Sequence, residues 1–186
     1  DFFLRPTIAE LASHLETQSN VSVLPAIVAG ERPKHIPLSF AQERLWFIDK
    51  LEGSAQYHLP SVLRLKGKLN KSALEFALKN IVNKHEVLRT VMIETEGKGY
   101  QKVLSKDGWK LNYADGSQFK NKKEDLKNEI LRIVNMPFDL SKDHMMRGHL
   151  INLGDNDNLL VLTLHHIASD GWSVSILVSE LAELYK

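Results

Sequence analysis

The residues with the clearest capacity for chemistry lie in one run, His165-His166-Ile167-Ala168-Ser169-Asp170-Gly171-Trp172. Imidazole is the side chain that takes or gives a proton near neutral pH. An apolar run, Leu159-Leu160-Val161-Leu162-Thr163-Leu164, precedes the histidines, and an apolar-patterned segment over 173–185 follows. The pattern predicts a buried strand that delivers two imidazoles to a loop, which turns through Asp170 and Gly171 into a helix. Titratable groups held at the end of a rigid strand are placed for chemistry. Consecutive strand residues face opposite ways, so the two rings cannot share one task. A ring open to substrate could take a proton from an attacking amine or hydroxyl, or hydrogen-bond a tetrahedral intermediate. General acid–base help of this kind is worth about 100- to 10,000-fold in rate. Asp170 could cap the following helix or pair with a buried Arg. Gly171 permits a backbone conformation and a close approach that other residues resist. A metal site is disfavoured, because adjacent strand histidines diverge whereas His-x-x-x-His on a helix would converge.

The elements that must position this run follow from periodicity. Residues 2–15 read as a short amphipathic helix, with Pro6 in its first turn and Thr7 or Arg5 near its cap. Residues 17–37 have no consistent period and contain Pro25, Gly30, Pro33 and Pro37, which reads as a linker. Ser39 is the expected N-cap of a helix to about residue 51, with Glu43 one position beyond a capping box. Its apolar residues, including Trp46, Phe47 and Leu51, are expected to pack in the core. A strand is predicted over 57–65, and a strongly periodic helix after Asn70, with Leu74, Ala77, Leu78, Ile81 and Val82 on one face. Residues 87–93 and 100–104 form a predicted hairpin around Gly97 and Gly99, and 111–113 a further short strand. A charged helix is expected over 120–134. Residues 146–153 and 159–164 form a second hairpin, leading into the closing helix over 173–185. Trp172 is expected to pack under the loop. Mixed strands and helices in this order predict an α/β fold, a mixed sheet with helices packed on it as a two-layer α+β sandwich.

Composition narrows the class. The chain has 186 residues, 43% of them apolar and 25% charged, the balance of a soluble globular domain. A net charge of +1 gives no electrostatic case for nucleic acid or an anionic membrane as partner. The chain has no cysteine, so disulfides, thiolate nucleophiles and Cys-zinc sites are excluded, and a reducing, cytoplasmic setting is expected. No apolar run reaches membrane-spanning length. The absence of a starting Met, and a helical pattern still running at residue 184, suggest a piece of a longer protein.

The run 165–173 resembles the HHxxxDG motif of condensation domains in nonribosomal peptide synthetases, which belong to the chloramphenicol acetyltransferase-like acyltransferases. Ser39-Phe40-Ala41-Gln42-Glu43-Arg44-Leu45-Trp46-Phe47 is similar to the family's opening motif, and Lys84-His85-Glu86-Val87-Leu88-Arg89-Thr90-Val91 to its second. Pro137-Phe138-Asp139-Leu140 followed by Arg147 resembles another recurrent stretch. Lys84, Met92 and the run 143–146 depart from the usual residues. The resemblance implies a chloramphenicol acetyltransferase-like lobe over 36–186, the amino-terminal half of a two-lobed domain. Residues 1–16 resemble the last helix of a peptidyl carrier domain, joined through a linker at 17–35.

By the same resemblance, His166 is the catalytic residue, with support from His165, Asp170, Gly171 and Arg89; Asp170 is expected to pair with Arg89. The implied reaction joins a carrier-bound acyl thioester to a carrier-bound amine, and the opening motif favours the subtype that joins two L residues. The implied partners are the upstream and downstream carrier domains and the missing carboxy-terminal lobe. No cofactor is bound directly, since the phosphopantetheine arms arrive on the carriers. The isolated lobe is expected to be inactive and to expose apolar surface that invites self-association. An ester-forming acyltransferase of the same fold and a non-catalytic carrier-binding platform remain as alternatives.

Overall fold

The computed structural model describes residues 4, 6–17, 26, 28, 30–154 and 156–186. Most of the expected linker at 17–35 lies outside the described residues. The chain divides into two compact units, Asp1–Arg32 and Pro33–Lys186. The first contains α1 (Ile8–Thr17). Thr7 Oγ1 accepts from the Glu10 amide while the Glu10 carboxylate accepts from the Thr7 amide, a reciprocal start that settles the cap on Thr7.

The second unit holds, in chain order, β1 (Ile36–Pro37), α2 (Phe40–Glu52), β2 (His58–Lys66), α3 (Lys71–Lys84), β3 (Thr90–Thr95), β4 (Lys98–Val103), β5 (Asn112–Asp115), α4 (Lys123–Asn135), β6 (Met146–Gly154), β7 (Asp157–His165) and α5 (Gly171–Leu184). Short 3-10 turns lie at Ala55–Tyr57, Glu86–Arg89 and Ser117–Phe119. Two sheets form, ordered β1-β4-β3 and β2-β7-β6-β5. All pairings are antiparallel except β5 with β6, which is parallel. The β3–β4 hairpin turns on Glu96 and Gly97, both at positive φ, as a tight two-residue turn matched to strand twist requires.

The larger sheet is covered on both faces. Leu74, Leu78, Ile81 and Val82 of α3 meet Leu150, Leu160 and Leu164 on one side, where Leu177 and Leu181 of α5 also pack. Ile133 of α4 meets Ile151, Leu153, Leu159 and Val161 on the other. A strand buried on both faces needs apolar residues at successive positions, which is why 159–164 is a continuous apolar run rather than an alternation. Proline is tolerated on an edge strand, and Pro60 lies in β2, the edge beside β7.

Three local expectations are corrected. The capping box of α2 uses Gln42, not Glu43: Ser39 Oγ accepts from the Gln42 amide and Gln42 Oε1 accepts from the Ser39 amide. No apolar residue of α2 is fully buried, and Phe47 and Leu51, expected in the core, are 59% and 69% exposed. Trp46 packs partly against the cluster of Leu38, Val91, Met92 and Phe138. It lies over Gly99 of β4, where an added Cβ would come within 3.2 Å of its ring. Residues 87–89 form a 3-10 turn before β3 rather than its first residues.

Candidate active site

β7 ends at His165, and the chain turns at once. The turn is closed by the Ala168 amide, which donates to the His165 carbonyl at 3.0 Å; Ser169 Oγ donates to the same oxygen. The two histidine amides are anchored to separate segments: His165 N–H donates to Met145 O and His166 N–H to Tyr57 O. The strand therefore does not persist through His166, but the rings still separate. His165 is fully buried. His166 is exposed.

Their proton positions follow from their neighbours. His165 Nδ1 lies 3.0 Å from the Ile167 amide, which can only donate, so Nδ1 must be the acceptor. The ring proton is then on Nε2, which donates to Ser54 Oγ at 2.9 Å, and Ser54 in turn donates to Asp49 Oδ1. Burial, with smaller contributions from His58 and His166, pushes the His165 imidazole down to about 4, so the ring is neutral. His166 is the reverse case. Its Nδ1 lies 2.6 Å from the carbonyl of Ser169, which can only accept, so Nδ1 carries the proton. In the neutral ring Nε2 then presents a free lone pair on the exposed side. Adjacent histidines thus hold opposite tautomers, one spent on structure and one available.

Beneath His165 lies a small aromatic cluster. His58, its direct partner across β2 and β7, is edge-on with ring centroids 5.8 Å apart, and Phe138 stands 5.6 Å away. His58 Nδ1 donates to Val134 O at the end of α4, and burial lowers its affinity for a proton. The Arg147 guanidinium lies 4.1 Å over Phe138 and donates to Met136 O and Pro137 O. These bonds satisfy carbonyls at and just beyond the C-terminal cap of α4. They fold the Pro137–Leu140 stretch onto the floor of the site.

Asp170 and Arg89 are not brought together. Asp170 is the N-cap of α5, accepting from the Ser173 amide at 2.9 Å and from Ser173 Oγ at 2.7 Å. Those bonds hold its carboxyl below the usual carboxylate range. Arg89, 6% exposed, donates to Leu104 O and to Glu86 Oε1 at 3.2 Å. The expected ion pair is replaced by two local arrangements, a helix cap and a 3-10 turn before β3 that Arg89 ties to the residue after β4. Gly171 also departs from expectation. Its φ lies outside the left-handed region and an added Cβ would meet nothing within 4 Å, so nothing among the described residues demands glycine there. Trp172, expected under the loop, is 80% exposed.

Ser54, Asp49 and His58 were not legible as site residues, since no spacing links them to the histidine run. A cleft of about 100 Å³ opens beside the loop, lined by His85, Val87, Leu88, Ala168, Ser169 and Ile176 among others. Among the described residues, no three His, Asp or Glu side chains gather as a metal ion would require. No helix among them is long and apolar enough to cross a membrane.

A mixed sheet with helices on it, and a buried strand followed at once by an exposed imidazole, fits the architecture of a chloramphenicol acetyltransferase-like lobe. The condensation domain family model matches residues 32–186, and the chain belongs to that family. It is 38% identical over 186 residues to a dimodular nonribosomal peptide synthase of Bacillus subtilis (strain 168), covering 98% of this chain and 8% of that protein. Among solved structures, the X-domain from teicoplanin biosynthesis, determined in complex with OxyB, superposes with a TM-score of 0.77 at 30% identity, covering 87% of this chain and 34% of that one. The first condensation domain of the CDA synthetase gives 0.69 at 25% identity, covering 81% and 40%. The chain thus spans a small fraction of the length of its curated relatives and about a third of its structural ones.

Proposed function

We propose that this chain is the amino-terminal lobe of a condensation domain that forms a peptide bond between two carrier-bound substrates. The amine of one aminoacyl group attacks the thioester carbonyl of the other. A C–N bond forms, the C–S bond breaks, and the amine proton ends on the released thiol. The observation that carries this reading is His166 itself: Nδ1 is pinned to the Ser169 carbonyl, and Nε2 is left as an exposed acceptor at the end of a buried strand. An α-amine has an ordinary pKa of about 7.7–8.0, so roughly a tenth of it is unprotonated at pH 7 and can attack without a strong base. Nε2 then serves mainly to orient the amine and stabilise the charge that develops on its nitrogen. The open space over Gly171 suits a pantetheine arm passing close to the backbone.

The reading extends to the rest of the chain. Residues 1–16 are the last helix of an upstream carrier domain and 17–35 the linker. A second lobe supplies the opposite wall of the site, so the 186-residue chain alone is inactive. The phosphopantetheine arms belong to the upstream and downstream carriers, and the setting is cytoplasmic. Similarity of the opening motif to the subtype joining two L residues favours that pairing.

A second reading is a non-catalytic platform that binds carriers; it is supported by the likeness to an X-domain solved in complex with another protein, OxyB. One experiment separates the two. In the complete protein that carries this chain, with both carriers loaded, single-turnover product formation is compared with that of His166→Ala. The expected result is product from the parent and a loss of at least about 100-fold in the variant, with carrier loading unchanged. A variant within twofold of the parent refutes catalysis by His166. No product from a fully loaded parent favours the platform.

A further inference from the structure

The buried histidine is tied to α2 by a chain of hydrogen bonds whose direction is fixed at every link. The Ile167 amide donates to His165 Nδ1, His165 Nε2 donates to Ser54 Oγ, and Ser54 donates to Asp49 Oδ1. Each ring nitrogen and the amide make one bond, and the Ser54 hydroxyl both accepts and donates. Ser54 is 3% exposed and stands where α2 has ended and the chain turns towards β2, so water cannot readily replace its hydroxyl. We infer that Ser54 and Asp49 are positioning residues, which hold the loop bearing His166 by fixing the tautomer of His165. This rests on the proposed role of His166.

The physical argument is one of donors and acceptors. Ile167 follows His166 directly, and its amide is held by His165 Nδ1 only while that nitrogen is unprotonated. Asp49 makes Ser54 Oγ an acceptor towards the ring, because the hydroxyl proton is already committed to the carboxylate. Without Asp49 the hydroxyl is free to donate to Nε2. The tautomer with its proton on Nδ1, which faces the Ile167 amide as donor against donor, would then compete with the native one. The turn from His165 to Ala168 would lose one of its internal ties and His166 its registration, though neither Ser54 nor Asp49 touches the exposed Nε2.

The test uses the complete protein with loaded carriers, reading kcat, KM for the acceptor carrier, melting temperature and hydrogen exchange of the peptide spanning 165–171. Ser54→Ala is expected to lower kcat about 10- to 100-fold with KM within twofold, and to speed exchange in that peptide. Ser54→Thr, which keeps the hydroxyl, is expected to restore kcat to within threefold of the parent. Asp49→Ala should fall in the same direction, and Asp49→Asn, which keeps an acceptor oxygen, should not. If Ser54→Ala keeps the parent kcat while His166→Ala abolishes product, the positioning role is wrong and the function stands. If His166→Ala itself keeps its activity, the function fails first and the inference with it. Should the Ser54 variants not fold, the Asp49 pair decides: Asn active and Ala impaired supports the relay, and equal rates overturn it.

Discussion

His165 should make this fold sensitive to acid in a way that one substitution can isolate. The ring is fully buried and stays neutral down to about pH 4, whereas an unfolded chain protonates it near 6.5. Below pH 6.5 the unfolded state therefore binds the extra proton, and stability falls as pH falls, until the folded form also titrates near 4. Each pH unit in that window is worth about 1.4 kcal/mol for a full proton. Rounding at the upper end leaves a loss of about 2–3 kcal/mol between pH 7 and 4.5. The carboxylates and the other buried histidines add slopes of their own, so the total slope of the parent proves nothing about His165. The difference between the parent and His165→Asn is the useful quantity, because Asn keeps an acceptor for the Ile167 amide and removes the titration. Urea unfolding at half-unit steps from pH 8 to 4.5 supplies both curves. Asn is expected to be the less stable chain at pH 8, and the gap should close by about 2–3 kcal/mol on reaching pH 4.5. Parallel curves would show that the folded state accepts a proton on His165 at its ordinary value, and the dry, neutral ring described above would be wrong.

Two further predictions test the replaced ion pair and the exposed indole. Asp170→Ala should cost about 1 kcal/mol as a lost helix cap, and Arg89→Ala about 1–3 kcal/mol because Leu104 O loses its buried donor. Their effects should add to within about 0.5 kcal/mol, and a coupling above about 1 kcal/mol in a double-mutant cycle would restore the direct Asp170–Arg89 pair. Trp172→Ala should change the stability of this chain by no more than about 0.5 kcal/mol, since the indole is 80% exposed. A larger loss by urea unfolding would show that the ring packs on the loop after all.

The sequence was most legible where one physical demand acted alone. The five apolar positions of α3, Leu74, Ala77, Leu78, Ile81 and Val82, are all buried because a helix against a sheet needs only a stripe. The same rule misled at α2, where Leu45 and Trp46 reach the core but Phe47 and Leu51 stay exposed, so an apolar pattern marks a face without naming what covers it. The parallel pairing of β5 with β6 was invisible because a four-residue strand carries no signal of direction. Arg89 and Asp170 illustrate the other limit. They were expected to pair with each other, but their partners are decided by the turn and the cap that form within four residues of each, or across one hairpin. Ser54 could not be found at all: its partner is 111 positions away, and a serine after a glycine is ordinary loop chemistry.

The division of labour between the two histidines does not depend on the family resemblance. For His165 to serve as a base it would have to offer a lone pair, and the one it has on Nδ1 is held by the Ile167 amide. Its other nitrogen carries the proton and is enclosed beside Ser54. Exchanging the roles would require the turn to present a donor where Ser169 now presents a carbonyl, because His166 keeps its outer nitrogen bare only while the inner one has an acceptor to meet. Each condition is met first by a backbone group of the same three-residue turn, Ile167 to Ser169, with Ser54 and Asp49 supporting the first ring from its other nitrogen. The order of the pair, a structural imidazole first and an open one second, is therefore a property of how the strand ends. Reversing the register by one residue would bury the wrong ring and leave the other without a free lone pair.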